Sequence, residues 1–438
     1  MSALNPHRAN FAAPSLKRAL SAGPALAARL ILGAGLAAAL LAALPANATD
    51  DVAVPPKFEV GPIPQSILDV KTDNDFIYDT VKTIAPEIGG YDDVFLNEEE
   101  TVAYTTGRDG WIWKVDLKTE KAERFVDVPV MAAGLHHIPG ETTKIITTNS
   151  RRGGQQYPEG EEVGLYTLDL ATKEVTALVT RVPHYDDPIE PTVIPIDQQE
   201  RVRVDSLDDS NSRPLAITND AAVSADGKRV YFTESYVTDG ATMGGPGSIA
   251  TVVMLGNSGR LWMYDFEDQT VGLVGAGYAF TDGILMEADA DGDGIEDSVL
   301  MTDNVRFQLH RLHLSGDRAG ESEVLWKDLP GLGDGMRRDS KGRIWVTFIA
   351  ERSPQLDYAH MNPEVKPFLM KHPQLISMAP TNSILLLSPD ASTPLWFTSH
   401  YQTRVTSIAA VTPASNGLYL SNFSESTPGL HRIDIPLE

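Results

Sequence analysis

The sequence predicts an all-β fold: a six-bladed β-propeller with four antiparallel strands per blade, closed by an N-terminal strand. Three observations predict it. No long stretch keeps a helical periodicity; short runs rich in β-branched and aromatic residues recur instead, separated by Gly, Asp, Asn and Pro. These runs cycle four at a time with a period of roughly 40–50 residues, the sequence mark of a propeller. The second strand of each cycle ends in Thr, Ser or Asn, a repetition that a β-sandwich would not generate.

Residues 1–48 stand outside this pattern. Arg8, Lys17, Arg18 and Arg29 are their only Lys or Arg residues, and they contain no Asp or Glu. An apolar run of 15 residues, 30–44, leads to Pro45 and the small triplet Ala46-Asn47-Ala48. That order reads as a secretory signal cleaved after Ala48, since the run is shorter than the ~20 residues that span a bilayer. The remainder, residues 49–438, is expected to be one propeller domain, periplasmic or secreted.

The repeats fall at residues 93–125, 134–178, 217–274, 282–326 and 335–397. A sixth (VTSIAAV, GLYLSN, GLHRIDI) lacks its fourth strand. An open sheet edge invites pairing with other chains. Residues 65–78, with SILDV and DFIYD, are the expected closing strand. Two insertions interrupt the period. Residues 181–214 are polar and Pro-rich, the pattern of a surface loop. Within 351–380, apolar spacing predicts a short amphipathic helix over 363–375, placed as a lid at one mouth of the channel.

Loss of the leader would move the formal net charge from −24 to −28. Such an acidic chain is repelled by nucleic acid and by anionic membrane surfaces. Nucleic acid and, after cleavage, membrane are therefore not expected as partners, and oligomeric state is left open. The chain has no cysteine, which excludes disulfides and thiolate catalysis. No Gly-x-Ser-x-Gly elbow, nucleotide loop or zinc motif is present.

One acidic loop has metal-ligand spacing by itself. Asp289, Asp291, Asp293 and Asp297 occupy positions 1, 3, 5 and 9 of an EF-hand-type loop, with Gly294 at position 6 and Leu300 where Glu is expected at 12. Calcium binding there, in a stabilising role, competes with an ordinary acidic hairpin turn.

Several stretches resemble the strictosidine synthase-like proteins, and more distantly the paraoxonases and the senescence-marker/gluconolactonase group. They are ITNDAAVSADGKRVYFTES at 217–235, GRLWMYDF at 259–266, SEVLWKDLPGLGDGMRRDSKGRIWVTF at 322–348 and HPQL at 372–375. The resemblance implies a six-bladed propeller with a central calcium (Ca2+), an ion that takes six to eight oxygen donors. Carried over by motif, the ligands are Asp92, where the family has Glu; Asn219; Asp282, where it has Asn; and Asp334. Gly335 replaces a family Asn, leaving an open coordination position. Asp93 and Asp220 follow two of these ligands, where paraoxonase-like sequences hold a second, structural calcium. The competing reading makes all four ligands turn residues at strand starts.

By the same resemblance the expected function is calcium-dependent hydrolysis of lactones or esters, with metal-activated water in the central channel and Asp334 as ligand or general base. A small-molecule substrate is the partner that the resemblance implies. His136 is the candidate catalytic histidine. It lies just beyond Ala133, which stands where a paraoxonase-type dyad has its His; His137 and His400 are weighed as packed residues. Thr406 or Ser407 stands where amine–aldehyde condensation needs a Glu, which argues against that reaction. The alternative class is a non-catalytic propeller that binds a ligand or partner with structural calcium; a quinone-dependent sugar dehydrogenase fits the residues less well.

Overall fold

Each run of β-forming residues pairs antiparallel with the next, and six such sheets are arranged as the blades of a six-bladed propeller in the computed structural model, which describes residues 54–238, 240–287 and 296–437. The inner strands of blades one to five are Val94–Leu96, Met131–His137, Thr218–Val223, Thr281–Met286 and Gly331–Arg338. Blade six is Val411–Ala414, Gly417–Leu420 and Leu430–Ile433, completed from the N-terminal side by Lys82–Ile84. The closing register is Lys82 to Arg432, Thr83 to His431 and Ile84 to Leu430.

Apolar residues on both faces of the strands form a separate core between each pair of neighbouring blades. Leu300 and Phe348 belong to the core of blades four and five, Phe232 and Leu165 to that of blades two and three. Ile84, Leu430 and Val94 seal blade six against blade one. Every blade is thus held from two sides, and Lys82–Ile84, from the N-terminal side, gives the sixth sheet its fourth strand and closes the ring.

The closing strand is not the one expected. Residues 65–78 contain two short helices, Gln65–Asp69 and Phe76–Thr80. Each offers one inward apolar residue, Ile67 and Ile77, fully buried beside the blade-five sheet. Asp75 caps the second helix by accepting from the Tyr78 amide at 2.9 Å. The strand follows at Lys-Thr-Ile, where β-branched residues resume. Residues 181–214 also depart from a plain loop. Arg181–Pro183 pairs with Ser212–Pro214, and Thr192–Val193 and Arg201–Arg203 add to the outer strand Thr270–Tyr278 of blade three. Val193 and Ile196, apolar in a polar stretch, sink into the core between blades three and four.

In the insertion at 351–380 the helix predicted over 363–375 forms as Lys366–Lys371 flanked by the single turns Pro363–Val365 and Pro373–Leu375, and a further helix, Pro354–Met361, precedes it. A helix absent from the sequence reading, Pro246–Met254, rises from blade three beside it. Among the described residues, no helix is long and apolar enough to cross a membrane.

Candidate functional site

An irregularity repeated around the ring assembles the axial site. In a regular strand, consecutive side chains face opposite ways. The inner strands of blades two to five break register with their neighbours at Ala132/Gly134, Thr218/Ala221, Thr281/Ile284 and Gly333/Met336. Such bulges leave residues unpaired and re-aim their side chains. Asn219 and Asp220, adjacent in sequence, both enter the channel for this reason.

Hydroxyls from the second strands take up the unpaired backbone groups, which explains the Thr/Ser ending seen in the sequence. Thr106 Oγ1 accepts from the amides of Asp92 and Asp93 at 2.8 and 3.1 Å. Thr148 accepts from Gly134 N at 2.9 Å and donates to Asn219 O of the next blade. Thr233 accepts from Asp220 N and donates to Asp282 O at 3.0 Å. Thr302 reaches Asp334 O at 3.5 Å, and Thr347 donates to Ala409 O at 2.5 Å. Ser421 accepts from Ala409 N and Ala410 N.

Backbone approach at the axis is close enough to require glycine. A Cβ on Gly283 would meet Asp334 O at 1.9 Å. One on Gly335 would meet Ala409 O at 2.8 Å and Ala410 Cβ at 3.1 Å. The position read from sequence as an open coordination site is thus filled by the blade-six backbone, to which Gly335 N also donates at 2.7 Å.

Asp92, Asn219, Asp282 and Asp334 are brought together here, as the sequence predicted, at the floor of one cavity of about 310 Å³. Asn304, which the sequence reading missed, joins them. It follows the second strand of blade four, where the repeat's Thr-Asp-Asn ending was the available signal. Asn219 Nδ2 donates to Asp282 Oδ1, and Asn304 Nδ2 to Asp282 Oδ2 at 2.8 Å. Burial pushes Asp92 up to about 7, with Arg108 opposing and Asp93 and Asp220 adding to the rise. Burial, then the neighbouring carboxylates, holds Asp334 well above the ordinary carboxylate range. Asp282 is held there too, with burial leading and the Asn304 amide opposing. Asp92 Oδ2 is buried without a hydrogen-bond partner.

This donor set fits a hard divalent cation. Three carboxylates and two amides offer oxygen only, and the unpartnered Asp92 oxygen is a buried acceptor that a cation would satisfy. Above the floor the walls are apolar. Phe280 and Leu332 come from the blades, Ile249 and Val252 from Pro246–Met254, and Ile376 and Met378 from the 351–380 insertion. The predicted lid segment therefore roofs the cavity together with the unforeseen helix. No His, Lys or Arg lines it among the described residues.

His136 lies elsewhere. It lines a separate cavity at the other end of the inner strands with His137 and Arg337, and its Nε2 is 2.8 Å from Asp220 Oδ1. His400 is a packed residue: Nδ1 donates to Asp75, and Nε2 accepts from the amides of Arg404 and Val405. Asp289, Asp291 and Asp293 lie outside the described residues. Asp297 is half-buried and accepts from Ser315 Oγ at 3.3 Å, while its neighbour Glu296 pairs with Arg229.

No protein-family model matches the chain. Its sequence relatives include adipocyte plasma membrane-associated protein of Danio rerio, 26% identical over 276 residues, 62% of this chain and 57% of that protein. The same protein of Salmo salar is 29% identical over 163 residues, 36% of this chain and 37% of its own. Protein strictosidine synthase-like 10 of Arabidopsis thaliana is 27% identical over 144 residues, 33% of this chain and 36% of its own. The matches thus span from about a third to little more than half of these relatives' lengths. The strictosidine synthase-like resemblance seen in the motifs is borne out by these relatives. Solved structures with similar folds include a gluconolactonase of Xanthomonas campestris (12% identical, 88% of this chain and 99% of that one, TM-score 0.49). Another is a luciferin-regenerating enzyme (14% identical, 82% and 95%, TM-score 0.49).

Proposed function

We propose that this relative of the strictosidine synthase-like proteins is an exported, calcium-dependent hydrolase of lactones or esters. The observation that carries the reading is the convergence of Asp92, Asp282 and Asp334 with Asn219 and Asn304 at the floor of an apolar-walled cavity. These five residues would hold the ion, which supplies Lewis acidity toward a carbonyl oxygen. The chain's own groups account for the rest. Asp334, which burial and neighbouring carboxylates hold protonated without a cation, would be the carboxylate beside a bound ion, and in that form can take a proton from attacking water and return it to the leaving oxygen. Asn304 and Asn219 hold Asp282 in place by bonding both its oxygens. The apolar walls orient the substrate's hydrocarbon part and limit water to the floor.

A second reading has its own support: among the described residues that line the cavity, no histidine or other base accompanies the carboxylates, as suits a propeller that binds a ligand without turning it over. A panel of lactones and aryl esters, assayed with calcium and with chelator, separates the two. Turnover that requires calcium and falls at least ~100-fold in Asp334→Asn supports hydrolysis. Absence of turnover on every member, with calcium still raising thermal stability, overturns it in favour of the binding propeller.

A further inference from the structure

Farther along the inner strands lies a second layer of charged groups: Asp93, His136, Asp220 and Arg337. The ligand atoms of Asp93, His136 and Asp220 lie within 4.8 Å of one another, and all three residues are buried. By composition this is a second metal site. Its lone pairs, however, are already engaged. Asp93 accepts from Val94 N at 2.8 Å, Leu135 N at 2.9 Å and Arg337 Nη2 at 2.5 Å. Asp220 accepts from Ala221 N and Ile284 N, both at 3.0 Å, and pairs with His136 at 2.8 Å. Arg337 Nη1 stands 3.6 Å from the remaining side of Asp220.

A carboxylate offers about four lone-pair directions. Three are used on Asp93 and three on Asp220, with the guanidinium between them. The contrast with Asp92, one residue earlier in the chain, is direct: its Oδ2 has no partner at all. Arg337 is itself held, since it sits on the inner strand of blade five opposite Trp345 and donates from Nη1 to Met336 O at 2.9 Å. A metal ion entering this layer would have to displace a fixed cation and face its charge at short range.

We propose that the Arg337 guanidinium is the resident cation of the lower layer, placed where a second ion would otherwise bind, so that this layer takes no metal. Arg337 acts as a positioning residue: it neutralises Asp93 and Asp220, fixes the floor beneath the upper carboxylates, and fills the axis between the two cavities. The inference concerns occupancy alone and does not depend on hydrolysis.

The test counts ions. The full chain is equilibrated with calcium chloride, freed of unbound ions by gel filtration, and analysed for bound calcium by elemental mass spectrometry. Arg337→Met is expected to bind one more calcium per chain than the parent, and the charge-balanced Asp93→Asn/Arg337→Met to return to the parent's number. Equal counts in the parent and a folded Arg337→Met overturn the proposal. If Arg337→Met does not fold, the double variant decides: the parent's count supports the assignment, and one ion fewer overturns it. Because every reading is a difference from the parent, absence of turnover, which bears on the hydrolase reading, leaves this result unaffected.

Discussion

Asn304 donates from Nδ2 to Oδ2 of Asp282 at 2.8 Å, reaching from the end of the second strand of blade four to the bulge in its first. The bond fixes a buried carboxylate that also accepts from the Asn219 amide and meets the Asp334 carboxyl. Groups that orient a ligand typically change metal affinity by about 10–100-fold when removed. Asn304→Ala should weaken calcium binding to that extent, measured by isothermal titration calorimetry, with the fold intact by circular dichroism. A change below about threefold would remove Asn304 from the site.

The clustered carboxylates predict a pH dependence. Asp92 is raised from the ordinary carboxylate value to about 7 by burial. A group raised on folding contributes stability that is full below its unfolded value and is lost as pH rises through the folded one. In chelator, stability should therefore fall between about pH 4 and 7, by on the order of 4 kcal/mol for this group. Calcium, which needs the ionised form, should offset the loss. Its effect on melting temperature is expected to be larger at pH 8 than at pH 5; the reverse order would contradict the arrangement described.

Restoring the family asparagine at Gly335 should not rebuild a ligand. The Cβ would press on Ala409 O, so Gly335→Asn is expected to cost about 1–3 kcal/mol in denaturant unfolding. Calcium affinity should not tighten. A stable variant with tighter binding would show that the blade-six backbone can yield.

Glu234 is completely buried, and Arg213 binds it through two bonds of 2.6 and 2.8 Å. Its oxygens also accept from Trp262 Nε1 and Ala216 N, both at 2.9 Å. Arg213→Ala would leave that charge without its cation and should destabilise the protein by about 3–5 kcal/mol in urea titration. A loss under about 1 kcal/mol would mean that the Trp262 indole and the Ala216 amide suffice as donors.

Ring closure can be probed at one side chain. Ile84, the last residue of the closing strand, packs with Leu430 and Val94 in the core of blades six and one. Ile84→Ala is expected to cost about 2–5 kcal/mol. The same change at exposed Ile189 should cost little and serves as the reference.

The ring itself was legible because strand periodicity and the four-run cycle are properties of local sequence. The convergence of Asp92, Asn219, Asp282 and Asp334 on one cavity was legible because they lie at the starts of equivalent strands. What strict alternation concealed was the bulge, which brings Asp220 into the channel beside Asn219. Asn304 was concealed because it belongs to the second strand's exit, not to a strand start. The separation of His136 from Asp334 depends on depth along the channel axis, which spacing within a repeat does not encode. The closing strand was misplaced by a few residues because SILDV and DFIYD carry β-formers whose spacing suits one buried residue per helix.

The hydroxyl belt has a mechanical consequence. Thr148, Thr233 and Thr302 reach the carbonyl oxygens of Asn219, Asp282 and Asp334, so the peptides they touch belong to the residues that would hold the proposed ion. The circumference of the propeller and the radius at which its donors meet are therefore one quantity. A blade that tilts outward spreads the donors, and an ion bound as proposed would draw them inward and resist the tilt, so grip on that ion and resistance to opening would rise and fall together.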